Sequence, residues 1–389
     1  MKPKRCLLVK FRSYKYYDDI SRACVENGLE VAAEYCETHE DLTNILALVN
    51  RFHPDFILCH PVFSPYVSRM GSTLSIPVFH WLVDKMIEHD RWPREMFADN
   101  DYVFCTYTED VAYLKRIGVR SEYFLNVCNI TPVDHVSVEK KYGVTFVGTI
   151  ELGENNYYRQ FISEMKERFV DSLPEIQLLA DRLMHIFSRI LNLQSDASKK
   201  FQYILPELSE RVTQYIRSID SVFHGFAAIN IPALLAKEVA FMQRQYFFQA
   251  IPHLDVFGPA DWAESDMPNI HYHGLCDQYK DSGRVFAESR INLSISRIYS
   301  LDGLSDRIFN VLFARGFLLA NRQETLSQVF REGVDLEMYA NVDELLDKIR
   351  FYENNPLARE RIARQGYENV IKNHTFTNRI GEIVSLLQR

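Results

Sequence analysis

The most informative stretch of this sequence is Ile298-Tyr-Ser-Leu-Asp-Gly-Leu-Ser-Asp-Arg-Ile-Phe-Asn-Val-Leu-Phe-Ala-Arg-Gly316. The apolar run at 290–296 precedes it and predicts a buried strand. Within the stretch, apolar side chains recur with the period of a helix. They are Leu304, Ile308, Phe309, Leu312 and Phe313. The sequence therefore predicts a strand, a polar loop with one glycine, and a helix.

The start of this helix is a candidate phosphate site. A helix N-terminus collects unpaired backbone N–H groups and a partial positive charge, both of which favour an anion. Arg307 lies in the first turn and adds a forked cation. The alternative is an ordinary connection between a helix and a strand, in which Ser305 and Asp306 only cap the helix.

Length and composition limit the classes of protein that fit. The chain has 389 residues, which is enough for two or three domains. Its net charge of -8 argues against a general nucleic-acid binder, because a surface that follows phosphates is normally basic. Seven cysteines without a Cys-x-x-Cys pair indicate reduced thiols and a cytoplasmic protein. We find neither a signal peptide nor an apolar stretch long enough for a transmembrane segment.

The first part of the chain, 1–128, alternates short apolar runs with helical segments. Such alternation predicts an α/β, Rossmann-like domain with a parallel sheet and helices on both faces. The predicted strands are 6–11, 31–35, 56–60, 78–81, 102–106 and 122–125. The predicted helices are 18–27, 41–52 and 109–117.

A polar, aperiodic linker at 129–142 separates this domain from a second one at 143–375. The second domain has the same α/β pattern, interrupted at about 155–250 by predicted helices at 158–170, 175–193, 207–223 and 232–248. This helical insertion is either a structural support for a lid or a surface that docks an acceptor. A terminal helix at 376–389 is expected to pack back toward the first domain. Two doubly wound domains facing one another form a cleft.

Four glycine-containing segments follow predicted strands of the second domain, at one edge of a parallel sheet, where ligands usually bind. They are Gly148-Thr149, Gly258, Tyr272–Gly274 and Gly303–Arg307. None is a phosphate-loop lysine motif or a complete dinucleotide fingerprint, so the ATPase and dehydrogenase classes are disfavoured.

In the first domain, Asp84 ends the run Ile76-Pro-Val-Phe-His-Trp-Leu-Val-Asp84, on the side of the expected cleft. A carboxylate there could accept a proton from a hydroxyl nucleophile as general base, or it could cap the following helix. His80 falls in an apolar strand and is expected in the core. The sequence shows no spacing typical of a metal site and no Gly-x-Ser-x-Gly nucleophile motif.

Several of these segments resemble one known family. One part of the chain resembles the C-terminal domain of the CgeB-like (spore-maturation-type) glycosyltransferases. This part comprises the run Gly303-Leu-Ser-Asp-Arg-Ile-Phe-Asn-Val-Leu-Phe-Ala-Arg-Gly-Phe-Leu-Leu-Ala320 and the segments at 336–339, 344–352, 362–366 and 374–376. Phe146-Val-Gly148, Val256-Phe-Gly258 and Tyr272-His-Gly274 are similar to its earlier strand-end motifs. Pro77-Val-Phe-His-Trp-Leu-Val-Asp84 resembles a strand of its N-terminal domain. The resemblance implies the two-domain GT-B fold.

The resemblance also implies an activity. A sugar would pass from a nucleotide-diphosphate sugar, with a UDP-type donor favoured, to a protein, glycan or small-molecule acceptor. The C-terminal domain would hold the nucleotide and the N-terminal domain the acceptor. Neither a metal nor a cofactor is expected, since the helix dipole and basic side chains take the diphosphate charge. Two other functions remain open, a non-catalytic binding protein that docks a partner and a sugar-nucleotide epimerase.

The resemblance assigns roles residue by residue. Related retaining enzymes carry two glutamates with seven residues between them, and the corresponding positions are Asp302 and Asn310. An asparagine amide can still bond both ribose hydroxyls, although more weakly than a charged acceptor. Asp84 and Arg307 are the predicted catalytic residues. The predicted donor-binding residues are Gly148, Thr149, Gly258, Tyr272, Gly274, Tyr299, Asp302, Gly303, Leu304, Ser305, Asp306 and Asn310.

Overall fold

The computed structural model describes residues 4–12, 14–38, 40–86, 92–133, 138–152, 156–169, 171–218 and 230–388. These residues form two parallel sheets of six strands each, with helices packed against them. The α/β architecture predicted from the alternating pattern is therefore confirmed.

The first sheet has the order β2-β1-β3-β4-β5-β6. Its strands are β1 (Arg5–Lys10), β2 (Glu30–Tyr35), β3 (Phe56–Cys59), β4 (Val78–Leu82), β5 (Asp101–Cys105) and β6 (Ser121–Tyr123). Its helices are α1 (Tyr17–Glu26), α2 (Asp41–Phe52), α3 (Pro65–Thr73) and α4 (Thr108–Arg116). Helix α3 was not predicted, because its nine residues include Gly71 and three hydroxyl side chains that blur the apolar period. It begins with Ser64 as N-cap and Pro65 in the first turn.

The second sheet has the order β12-β11-β10-β7-β8-β9. Its strands are β7 (Tyr142–Val147), β8 (Leu254–Phe257), β9 (Ile270–Tyr272), β10 (Ser289–Ser294), β11 (Leu318–Asn321) and β12 (Glu337–Tyr339). Strand β7 begins within the segment predicted as linker. The helix before β10 ends at Glu288, because Ser289 already pairs with Tyr142 in the sheet.

Between β7 and β8, the described residues form an insertion of four helices, as the sequence predicts. They are α5 (Tyr157–Phe169), α6 (Pro174–Ser198), α7 (Leu205–Ser218) and α8 (Ile231–Ala250). The predicted end of the third, 219–223, lies outside the described residues. Helix α8 connects the insertion to the sheet: Leu235 and Val239 pack in the helical core, while Phe247 and Phe248 pack in the core of the second sheet.

The remaining helices follow β9 in chain order. They are α9 (Ser282–Glu288), α10 (Asp306–Phe313), α11 (Glu324–Val329), α12 (Val342–Asn354), α13 (Pro356–Asn373) and α14 (Phe376–Leu386). Helix α14 packs on α1, where the Asn27 side chain donates to the Thr377 carbonyl at 2.9 Å. The Phe376 ring stacks on Tyr16 with centroids 5.6 Å apart. The last helix of the chain thus completes the core of the first sheet.

Candidate active site between the two sheets

A cavity of about 560 Å³ lies between the carboxyl ends of strands from both sheets. Loops after β4, β7 and β10, together with the first turn of α10, contribute to its lining. Six of the predicted site residues line it: Asp84, Gly148, Thr149, Ser305, Asp306 and Arg307. The cleft expected between two doubly wound domains is therefore present, and the segment after β10 forms one of its walls.

Arg307 projects from the first turn of α10 against the end of β7. Its guanidinium carbon lies 4.6 Å from the centroid of the Phe146 ring. Across the described part of the chain it forms no hydrogen bond and no ion pair. Burial, followed by the neighbouring Arg244 guanidinium, lowers the pKa of Arg307 to about 9. A half-buried cation without a counterion is electrostatically suited to bind an anion.

Two further arginines that sequence reasoning missed line the same cavity, Arg244 from α8 and Arg297 after β10. Both contact one buried carboxylate oxygen, Oε1 of Glu151, at 2.8 Å from Arg244 Nη1 and 2.7 Å from Arg297 Nε. Burial would raise the pKa of Glu151, but the two guanidinium groups outweigh it and lower that pKa to about 2. Two of the three arginines that line the cavity therefore share one buried carboxylate, and Arg307 does not contact it.

The N-terminus of α10 opens into the cavity beside these arginines. Ser305 is its N-cap residue, yet the Ser305 side chain forms no capping hydrogen bond. The Ser305 hydroxyl is buried and has no hydrogen-bond partner within the described structure. Asp306, in the same turn, accepts hydrogen bonds from the Asn129 amide, at 3.2 Å, and from Gln278. Backbone N–H groups, a hydroxyl and guanidinium groups together make a suitable binding site for phosphate oxygens.

Gly258, Tyr272 and Gly274 lie behind the cavity instead of lining it, contrary to expectation. The Gly258 N–H donates to the Gly274 carbonyl at 3.0 Å, and the Tyr272 hydroxyl donates to the Gly258 carbonyl at 3.1 Å. Trp262 Nε1 donates to the Gly148 carbonyl at 2.7 Å. The ends of β8 and β9 therefore support the loop after β7, and that loop reaches the cavity.

The segment from Tyr299 to Leu304 docks on the first domain, so four more predicted donor-binding residues lie outside the cavity lining. The Asp302 carboxylate pairs with Lys85, with Oδ1 and Nζ 2.5 Å apart. Gly303 forms an antiparallel bridge with Tyr107. The Leu304 carbonyl accepts a hydrogen bond from Asn126 at 3.1 Å, and the Tyr299 side chain is 1% exposed. This segment is an interdomain contact.

Asn310 also differs from its predicted role on a ribose. Its side chain is 1% exposed, and its amide group forms two hydrogen bonds with Asn129. Asn310 Oδ1 accepts from the Asn129 backbone N–H at 2.8 Å, and Asn310 Nδ2 donates to Asn129 Oδ1 at 2.7 Å. The pair ties α10 to the connection between the two sheets.

The wall opposite the arginines comes from the first domain. Asp84 follows β4, is exposed and lines the cavity. Tyr14 and Tyr16 also line it. Burial raises the pKa of Tyr14, and the Asp84 and Asp306 carboxylates raise it further. The part of the lining that comes from the first domain therefore includes tyrosines and the Asp84 carboxylate, together with the Lys15 ammonium group.

Among the described residues, no group of three or more His, Cys, Asp or Glu side chains is placed to hold a metal ion. None of the helices in the described ranges is both long and apolar enough to cross a membrane.

Known proteins resemble this chain both in sequence and in fold. Residues 240–385, from within α8 to within α14, match a family model described as "Glycosyl transferase-like". HepE from Anabaena, solved with UDP and glucose, matches at 10% identity and a TM-score of 0.50 over 99% of both chains. Sucrose-phosphate synthase from Thermosynechococcus elongatus matches at 10% identity and a TM-score of 0.51, also over 99% of both. The DNA-modifying enzyme β-glucosyltransferase matches at 10% identity and a TM-score of 0.51 over 98% of both. No curated protein matches the sequence.

These likenesses establish the GT-B fold for the chain. The segment that matches the family model carries Arg244, Arg297, Ser305 and Arg307. The chain therefore has the GT-B fold, and its residues 240–385 match a glycosyl transferase-like family model.

Proposed function

We propose that the protein transfers a sugar from a nucleotide-diphosphate sugar, of the UDP type, to a hydroxyl of an acceptor held against the first domain. The observation that carries the proposal is the Arg307 guanidinium, which has no counterion in the described structure and lies where α10 begins. Solved structures that share the fold contain UDP with glucose, and another has uridine diphosphoglucose as substrate. We also propose that the protein belongs to the CgeB-like branch that its sequence motifs resemble.

The chemistry follows from the two sides of the cavity. When the bond between the anomeric carbon and the diphosphate oxygen breaks, its electron pair leaves on the diphosphate. Arg307, the Ser305 hydroxyl and the N-terminus of α10 would stabilise that charge, because fixed donors stabilise charge that develops in the transition state. Asp84 would accept the proton of the acceptor hydroxyl as the new bond to the anomeric carbon forms.

The helical insertion takes part in this site through Arg244. This residue comes from α8, is 3% exposed, and donates from Nη1 to the Thr149 carbonyl at 2.8 Å. It therefore orders the loop after β7 and adds positive charge beside Arg307. This role differs from both uses of the insertion that the sequence left open.

Isothermal titration with UDP, GDP and uridine tests the proposal. We expect UDP to bind to the wild type. The Arg307→Met variant should raise the Kd for UDP by roughly tenfold or more, and each tenfold corresponds to about 1.4 kcal/mol of binding free energy. Uridine lacks the diphosphate, so its affinity should not change. The matched control is Arg315→Met, because Arg315 lies at the other end of α10 and is exposed.

The proposal is wrong if no nucleotide binds, or if UDP binds equally to the wild type and to Arg307→Met. Measuring donor turnover then distinguishes a transferase from the remaining enzymatic alternative, an epimerase. An epimerase would convert UDP-glucose to its epimer without an acceptor, whereas a transferase would release UDP only by transfer to an acceptor or to water.

A further inference from the structure

Lys85 lies at the contact between the two domains, next to Asp84 in the sequence. Its side chain is 2% exposed. Nζ of Lys85 lies 2.9 Å from Glu109 Oε2 in the first domain. It also lies 2.5 Å from Asp302 Oδ1 and 2.6 Å from the Tyr299 carbonyl oxygen, both in the second domain. One ammonium group thus joins α4 to the loop that follows β10.

The other oxygen of Asp302 completes this contact. Helix α4 has Tyr107 as N-cap residue, and the Tyr107 side chain provides no capping hydrogen bond. Asp302 Oδ2 instead accepts from the Glu109 backbone N–H at 2.9 Å. A carboxylate at a helix N-terminus is stabilised both by the hydrogen bond and by the helix dipole. Helix α4 is therefore capped by a residue of the other domain.

Three contacts within the described residues help to hold the loop that carries Asp84. Two lie within the first domain: Thr106 Oγ1 donates to the Val83 carbonyl at 3.0 Å, and the Met86 N–H donates to Asp110 Oδ2 at 2.9 Å. The third is Lys85, and of these three it alone reaches the second domain. Consecutive Cα atoms are about 3.8 Å apart, so the position of Lys85 strongly constrains that of Asp84.

We propose that Lys85 is a positioning residue, which sets Asp84 against the arginine side of the cavity by joining the two domains. The proposal rests on the function proposed above. Lys85 acts through its neighbour, because it is not among the residues that line the cavity. Another ion pair between the domains, Lys15 with Asp277, has side chains that are 54% and 30% exposed. Exposed ion pairs contribute little to stability. When one partner of a buried ion pair is lost, however, the charge of the other partner stays buried without a counterion.

The variant that tests this is Lys85→Met, which keeps the length of the side chain and removes its charge. Its matched control is Lys348→Met. Lys348 also binds several carboxylates, those of Glu332 and Glu337 at 2.7 Å each and that of Glu344 at 3.4 Å, but all of these residues belong to the second domain. Both variants lose a partly or fully buried ammonium group that binds more than one carboxylate, and only the first loses an interdomain contact.

We expect Lys85→Met to lower kcat for UDP-glucose turnover by roughly tenfold to hundredfold, since a displacement of about 1 Å in a reacting group can cost that much. The Kd for UDP should change less than about threefold, because the residues proposed to hold the diphosphate remain. In solution scattering without nucleotide, Lys85→Met should have a larger radius of gyration than the wild type. Lys85→Arg keeps the charge and should recover part of kcat. Lys348→Met should reduce thermal stability and leave kcat and the radius of gyration unchanged.

The proposal is overturned if Lys85→Met and Lys348→Met behave alike, or if Lys85→Met changes neither scattering nor kcat. If Lys85→Met does not fold, Asp302→Asn removes the charge of the partner instead and should give the same changes in scattering and kcat. The scattering measurement needs no nucleotide. A failure of UDP binding would therefore contradict the proposed function. An unchanged radius of gyration in Lys85→Met would instead contradict the role of Lys85.

Discussion

The guanidinium group of Arg307 lies in the space that a side chain at position 148 would need, and residue 148 is a glycine. A Cβ atom on Gly148 would be 2.5 Å from Arg307 Nη2, well inside van der Waals contact, and the φ of Gly148 is +155°. The absent side chain at the end of β7 therefore provides the space in which a cation from α10 reaches the cavity. The glycine predicted to approach a ligand closely is in contact with the arginine proposed to bind that ligand.

Gly148→Ala should displace Arg307 and weaken UDP binding by roughly tenfold, or about 1.4 kcal/mol, measured by calorimetric titration. Gly143→Ala is the matched control. Gly143 belongs to the same strand, and a Cβ atom there has nothing within 4 Å. Equal UDP affinity in the two alanine variants would show that the space at Gly148 does not matter for Arg307.

Asn310→Ala should lower stability without weakening nucleotide binding. The substitution leaves the Asn129 N–H and Asn129 Oδ1 without their partner, which costs about 1–3 kcal/mol for a buried polar group. Denaturant unfolding measures the loss, and the Kd for UDP should stay within about twofold. The Asn129→Ala variant and the double variant complete a cycle in which the two losses should not add. A tenfold weaker Kd for UDP would restore the ribose role that the sequence motif implied.

Glu151 should make stability depend on pH in the acid range. Its pKa is lowered from 4.5 to about 2 in the folded protein, which corresponds to about 3 kcal/mol. For a lowered carboxyl pKa, this stabilisation is complete above the unfolded value and is lost as pH falls toward the folded value. We expect urea unfolding to show that Glu151→Gln is less stable than the wild type at pH 7. The difference should shrink to roughly half at pH 3, and a difference that stays constant would contradict the paired state of Glu151.

Trp262→Phe should weaken UDP binding several-fold through the loop after β7. The variant keeps an aromatic ring in the core and removes the 2.7 Å hydrogen bond from Trp262 Nε1 to the Gly148 carbonyl. Phe248→Leu is a suitable control, because Phe248 packs 5.7 Å from the Trp262 ring without contributing a side-chain hydrogen bond. Stability should fall in both variants, and UDP affinity only in Trp262→Phe. Unchanged affinity in Trp262→Phe would mean that the loop holds its position by packing alone.

Sequence reasoning succeeded where the signal was local. The apolar period at 304–313 predicted α10, and the helix start identified Ser305 and Arg307, which both line the cavity. Arg244 was missed, although it is the one charged residue in the mostly apolar run at 239–248, which was a signal of a buried functional cation. Arg297 directly follows an apolar strand, and nothing in its neighbours distinguished it from a surface residue.

The motif comparison located the two glutamate-equivalent positions but not their surroundings. Asp302 pairs with Lys85, which lies 217 residues away in the chain, and Asn310 pairs with Asn129, which lies 181 residues away. Those partners depend on how the first domain sits against the second. Spacing within one segment carries no information about that arrangement.

By itself, the sequence determined most of the segments that form strands and helices, although not α3, and therefore the two doubly wound sheets, because apolar periodicity reflects the burial of each segment's own face. It also determined that a cation stands at the start of α10. Only the tertiary structure decided which side chains line the cavity and which join the domains. Hydrogen bonds and ion pairs act over about 3 Å, so the fate of Asp302 and Asn310 was set by the partners that folding brought within that distance.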